Sequence, residues 1–154
     1  MDQEISCEFK SAKELGLEQA EYEGLVRTLT LMEAGKIQHY QDRQQEFNIN
    51  PLHQMGNSNL PIFSMTVWRE THLCGTVCCI GGTAEVLGGL GWGELSTKSK
   101  GLLENGNHAL YRLFYDYPAT ASGGYGPTVA QSARALRGYL TTGRTDWITA
   151  CQEP

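Results

Sequence analysis

The chain has no run of eighteen consecutive apolar residues, so nothing in it reads as a membrane-spanning helix. It has no basic stretch leading into an apolar one either: Met1 to Glu4 carry acids, and a soluble, unexported, cytoplasmic protein is expected. Basic residues are too few and too scattered, 12 against 17 acids, to build the positive patch that binding to nucleic-acid phosphates requires. The five cysteines are an odd number in a chain long enough to form a core without staples, which argues against a secreted disulfide framework and for reduced thiols. Two glycine-rich stretches also fall short of nucleotide motifs. "GGLGWG" lacks the full G-x-G-x-x-G spacing and a strand before it, and "SGGYGPT" lacks the Lys-Ser/Thr of a phosphate loop. No cofactor is expected.

What is present fits a single domain of 154 residues, since a core of this size buries roughly 70% of the surface of the unfolded chain. The net charge of −5 resides entirely in residues 1 to 23, where seven acids face Lys10 and Lys13; the remaining residues hold ten acids and ten bases. An acidic end on a neutral body suits either solvation or a basic protein partner. Glu14, Glu18, Glu21 and Glu23 are the candidate partner-binding residues, on the expectation that alanine in their place would leave folding nearly intact.

Helical periodicity dominates. Tyr22, Leu25, Val26, Leu29 and Met32 recur at three- and four-residue steps behind Ser11 and Glu14, which have capping-box spacing, and predict a helix over 18–34. Residues 36–61 turn polar and read as a long loop, a candidate contact surface with room for a short strand. Thr76 to Leu87 reads as a helix in which Thr76 helps form the start; Gly81 and Gly82 would cost about 1 kcal/mol each unless they admit a close neighbour. "GGLGWGELS" reads as a turn, "NHALYRLFYDY" as a helix and "PATASGGYGP" as a loop. A closing helix carries Val129, Ala133, Leu136 and Leu140 between the Thr128/Gln131 capping box and Gly143, and Trp147 folds back behind it. With little strand-type alternation and no internal repeat, the expected fold is mainly α: a compact helical bundle with long loops that admits a short two-stranded element.

The stretch "THLCGTVCCIGGTAEVL", residues 71–87, packs three cysteines into six positions and leaves three readings open. A metal site would draw on Cys74, Cys78 and His72, but a second close pair of ligands is missing. A nucleophile would be Cys74 at a helix start, where unpaired N–H groups lower a thiol pKa, with His108 or His72 as base. Simple packing of small, weakly polar thiols against a tight helix interface also explains the neighbouring glycines. His108 in "GNHALY" is similar to the base position of papain-like and cell-wall-cleaving thiol hydrolases, which carry that histidine on a strand; here its surroundings have a helix period. Paired carboxylates at an acid/base site cannot be singled out from Glu85, Glu94, Glu104 and Asp116 by spacing alone.

Taken together, Phe63, Met65 and Trp68 (F-x-M-x-x-W), then Cys74, Gly75, Thr76, Cys79, Ile80 and Gly82 (C-G-T-x-x-C-I-x-G), Ala84, Leu113, Phe114 and Trp147 form a pattern. It resembles that of a loose family of small uncharacterised proteins from phages, prophages and bacteria. The likeness spans residues 60–148. Cys78 stands where that family commonly has alanine, and Thr83 where it has Trp or His, which removes the side chain best placed to partner a catalytic cysteine. The resemblance implies a cytoplasmic accessory protein carried by a phage or mobile element. By analogy with small acidic proteins of that kind, it implies binding to a host protein, with inhibitors of CRISPR or other defence systems included and basic nucleic-acid-binding proteins among the candidate targets. Phe63, Trp68 and Phe114 would then pack the core, and Gly81, Gly82 and Ala84 would shape a structural knot. Trp92 and Tyr125, in glycine-rich loops, would suit self-association or a turn role.

Overall fold

The computed structural model describes residues 8–40, 60–72, 75–118 and 126–153. The fold is mainly α, with seven helices among the described residues and a small three-stranded sheet. In chain order the elements are α1 (Ala12–Leu15), α2 (Gln19–Glu33), β1 (Ile62–Phe63), β2 (Arg69–His72), β3 (Gly75–Cys78), α3 (Ile80–Gly88), α4 (Glu94–Glu104), α5 (Ala109–Tyr115), α6 (Val129–Thr142) and α7 (Trp147–Ala150). No helix among them is long and apolar enough to cross a membrane.

Two capping boxes organise the N-terminal part. Ser11 Oγ accepts the Glu14 amide at 3.1 Å while the Glu14 carboxylate accepts the Ser11 amide at 2.9 Å, starting α1, which Gly16 ends in the left-handed region at φ +77°. The chain then restarts as α2, where Glu21 accepts the Glu18 amide at 2.8 Å. Leu25, Leu29 and Met32 lie buried along α2, with Tyr22 and Val26 packed at the edge of the core. The helix read over 18–34 is therefore α2, and the Ser11 box starts the separate turn before it.

Helix α3 crosses α2 with the two backbones in direct contact. A Cβ on Gly24 would overlap the carbonyl of Ala84, and one on Gly88 would come within 2.8 Å of the Ala20 carbonyl oxygen. Arg27 Nη1 closes the outer side of the crossing by donating to the Leu87 carbonyl at 2.6 Å.

The predicted helix over Thr76–Leu87 is corrected at its start. Gly75–Cys78 is strand β3, paired antiparallel to β2 (Arg69↔Cys78, His72↔Gly75) and parallel to β1 (Ile62↔Val77), and the helix begins only at Ile80. The sheet thus has three strands rather than two, in the order β1-β3-β2. The start of the 36–61 loop reaches this sheet through a bridge between His39 and Phe63; residues 41–59 lie outside the described residues.

Helix α4 was hidden by the glycines that precede it. Leu95, Ser99 and Leu102, at i, i+4 and i+7, turn its inner face towards the core. Helix α6 follows its Thr128/Gln131 capping box, buries Ala133, Leu136 and Leu140, and stops at Gly143 (φ +74°). Trp147 is buried, and its Nε1 donates to the Arg112 carbonyl at 3.0 Å, fastening the C-terminal turn to α5. The Arg137 guanidinium grips Glu33 through two bonds of 2.7 Å and Glu8 at 2.8 Å, joining α6 to the end of α2 and to the N-terminal segment.

Candidate functional site

The cysteine cluster does not make a nucleophile among the described residues. Cys78 is fully buried and Cys79 nearly so, and burial pushes both thiols up to about 12 from an ordinary value of 9.0. Cys79 is the N-cap of α3: its Sγ accepts the Gly82 amide at 3.4 Å and stands 3.7 Å from the Trp68 carbonyl oxygen, to which its S–H donates. A thiolate could not make that second bond. Cys74 lies outside the described residues, between the ends of β2 and β3, five residues before Cys79. The helix start expected beside it lies further on, at Ile80, with β3 between the two in the chain. His108 is exposed, at the position just before α5. The backbone of His72 pairs with Gly75, and no group of three or more His, Cys, Asp or Glu able to hold a metal occurs among the described residues.

Because protonated thiols are favoured by the folded state, their contribution to stability is fully present below pH 9 and is lost as pH rises towards about 12. Native protein at pH 8 is expected to leave Cys78 and Cys79 unmodified by iodoacetamide, with complete modification in denaturant; peptide mass mapping reads this directly. Rapid native labelling at either would contradict the burial.

The residues of the F-x-M-x-x-W and glycine stretches converge on Trp68. A Cβ on Gly81 would overlap the Trp68 ring, and one on Gly82 would overlap its carbonyl oxygen, which already receives the Cys79 amide at 3.3 Å. The Trp68 indole meets Phe114 edge-on at 5.2 Å and stacks on Tyr115 at 5.8 Å; Phe63, Met65, Ala84 and Phe114 lie in the core beneath. The neighbour that the two glycines admit is thus one tryptophan, by its ring and by its backbone.

Glu85 completes this hub. It is fully buried, and its carboxylate accepts Trp68 Nε1–H, the Gly93 amide and the Leu95 amide, each at 3.0 Å, with Arg69 Nη1 at 3.6 Å. A carboxylate on α3 therefore caps the N-terminus of α4 and holds the intervening turn against the sheet. Sequence reading left Glu85 among scattered acids. The available signal was its isolation: it is the one Asp, Glu, Lys or Arg between Glu70 and Glu94.

The turn so pinned displays Trp92. Its side chain is 69% exposed, yet its Nε1 donates to the Arg69 carbonyl at 3.2 Å, and the flanking Gly91 amide is held by the Glu94 carboxylate. Trp92 forms one wall of a groove of about 610 Å³ that continues over Glu21, Glu94, Thr97, Lys98 and Leu102. Through Arg69 the same surface runs on to Trp68 and to Tyr115, whose hydroxyl bonds Ser96.

The four acids Glu14, Glu18, Glu21 and Glu23 do not form one outward face: Glu14 belongs to α1, and the other three to the start of α2. Glu14 and Glu21 are spent in capping boxes, and Glu21 is buried. Glu18 and Glu23 are exposed, Glu18 lying 4.0 Å from Lys98 at the groove and Glu23 accepting from Gln19 Nε2 at 3.0 Å. Replacing all four by alanine is therefore not neutral for folding, since each lost capping box costs about 1 kcal/mol. Comparison of the chain with protein-family models, curated proteins and solved structures yields no match.

Proposed function

We propose that the protein works by binding another protein rather than by catalysis, as an accessory factor of phage or mobile-element type acting on a host protein. The observation that carries this is Trp92. A large aromatic left mostly in water is costly, and this one is also immobilised, so its ordering entropy is spent before any partner arrives. Tryptophan, tyrosine and arginine are the residues enriched at binding hot spots, and Trp92, Arg69, Tyr115 and Trp68 form one linked surface here. The finer reading, an inhibitor of CRISPR or another bacterial defence system in the host cytoplasm, rests on the resemblance of residues 60–148.

The test is affinity purification of the tagged chain from bacteria carrying mobile-element defence systems, with co-purifying proteins identified by mass spectrometry. A stoichiometric partner is expected, and Trp92→Ala should weaken its binding by about tenfold or more while leaving the thermal midpoint nearly unchanged, since the side chain is exposed. A partner held equally well by Trp92→Ala would place the binding surface elsewhere. No partner at all, together with fast labelling of Cys74, would favour thiol chemistry instead.

A further inference from the structure

We infer that the Trp92 groove takes an arginine side chain presented by the partner protein, an inference that rests on the protein-binding reading above. The indole has a single polar atom, and the Arg69 carbonyl occupies it at 3.2 Å. What Trp92 offers a ligand is therefore its π face, which attracts apolar groups and cations.

The charges around it select between the two. Glu94 begins α4 next to Trp92 with an exposed side chain, Glu21 lines the groove, and Glu18 reaches its Lys98 from outside the lining. The cation within the groove, Lys98, is already answered by Glu21 at 3.7 Å and Glu18 at 4.0 Å, and Glu94, which accepts the Gly91 amide, adds a third carboxylate to the same surface. The nearby Arg69 is directed instead to buried Glu85 at 3.6 Å and to the Leu90 carbonyl at 3.4 Å. An aromatic face under a net negative potential suits a cation, and the flat guanidinium can stack on an indole while its N–H groups reach a carboxylate, which a lysine ammonium cannot do together. The overall charge of −5 acts in the same direction at longer range.

The experiment uses the full chain labelled with nitrogen-15, whose three tryptophans give three indole N–H signals. Those of Trp68 and Trp147 serve as internal references, being bonded to Glu85 and to the Arg112 carbonyl. The probe is acetyl-Gly-Arg-Gly-amide at low salt, against the same peptide with citrulline, which keeps the shape and removes the charge. The Trp92 indole signal should move saturably with the arginine peptide; the preference over citrulline, read from the backbone amide signals of Gly93, Thr97 and Gly101 in the groove, should shrink by about 2- to 5-fold in Trp92→Leu, as expected for loss of a cation–π contact. Added salt should weaken the response. An unmoved Trp92 signal, or equal movement with citrulline, overturns the inference. If a stoichiometric partner nevertheless depends on Trp92 in the purification above, the binding reading stands and only the arginine is wrong; a shifted signal with no purified partner has the opposite meaning.

Discussion

Glu85→Ala is expected to lower folding stability by about 3–5 kcal/mol, the range for stripping one partner from a buried charged network. Three N–H donors, from Trp68, Gly93 and Leu95, lose their acceptor together, and Arg69 loses its counter-charge. Helix α4 also loses the anion at its N-terminus. The effect should extend to function, because the same bonds hold the turn that carries Trp92. Urea denaturation gives the size of the loss. Glu85→Gln should fall between the variant and the parent, since its amide oxygen still accepts while its NH₂ faces other donors. A loss within about 1 kcal/mol for the alanine variant would mean that water replaces the carboxylate and that the turn is held some other way.

Gly82→Ala should be comparably damaging, at about 3 kcal/mol or more, although it adds one methyl group. The atom it would strike is the Trp68 carbonyl oxygen, which is backbone and is itself bonded to the Cys79 amide, so no rotamer change relieves the clash. The hairpin or the first turn of α3 would have to move. Gly138→Ala is the matched control: it lies within α6 with open space beyond, where exchange for alanine should stabilise by about 0.5–1 kcal/mol. Opposite signs in the two thermal midpoints are expected. A tolerated Gly82→Ala would show that Trp68 does not sit against α3 as described.

Much of this architecture could be read from the chain, and the failures have physical causes. Helices α2 and α6 were legible because an apolar stripe and side-chain caps coincide in each. The docking of Trp147 followed from its size and place. Strand β3 was missed because a short apolar run such as Val77–Ile80 suits a strand or a helix equally, and the boundary is set by Cys79, whose thiol caps in the manner of a serine. Helix α4 was missed because its cap comes from Glu85, nine residues before the helix begins, which no local signature can report. For the same reason the candidate surface was only half visible: Trp92 stood out as an aromatic among glycines, but its exposure depends on bonds from α3 and β2. The four acids were overvalued as a group because spacing does not distinguish a carboxylate that caps from one that faces outward.

The glycine crossing of α2 and α3 has a bearing on how the protein comes apart. Where helices meet through side chains, a layer of rotamers can loosen while the backbones stay near one another. At Gly24 and Gly88 there is no such layer, so separation by about 0.5–1 Å already forfeits roughly a quarter to a half of the contact energy. The two helices should therefore behave as a single latch, either shut or open, with their amide hydrogens becoming accessible in one common opening event. Since α3 also carries Glu85, and with it the turn bearing Trp92, the poise of the outer surface is tied to the seam that Ala84 and Gly88 of the same helix make with α2.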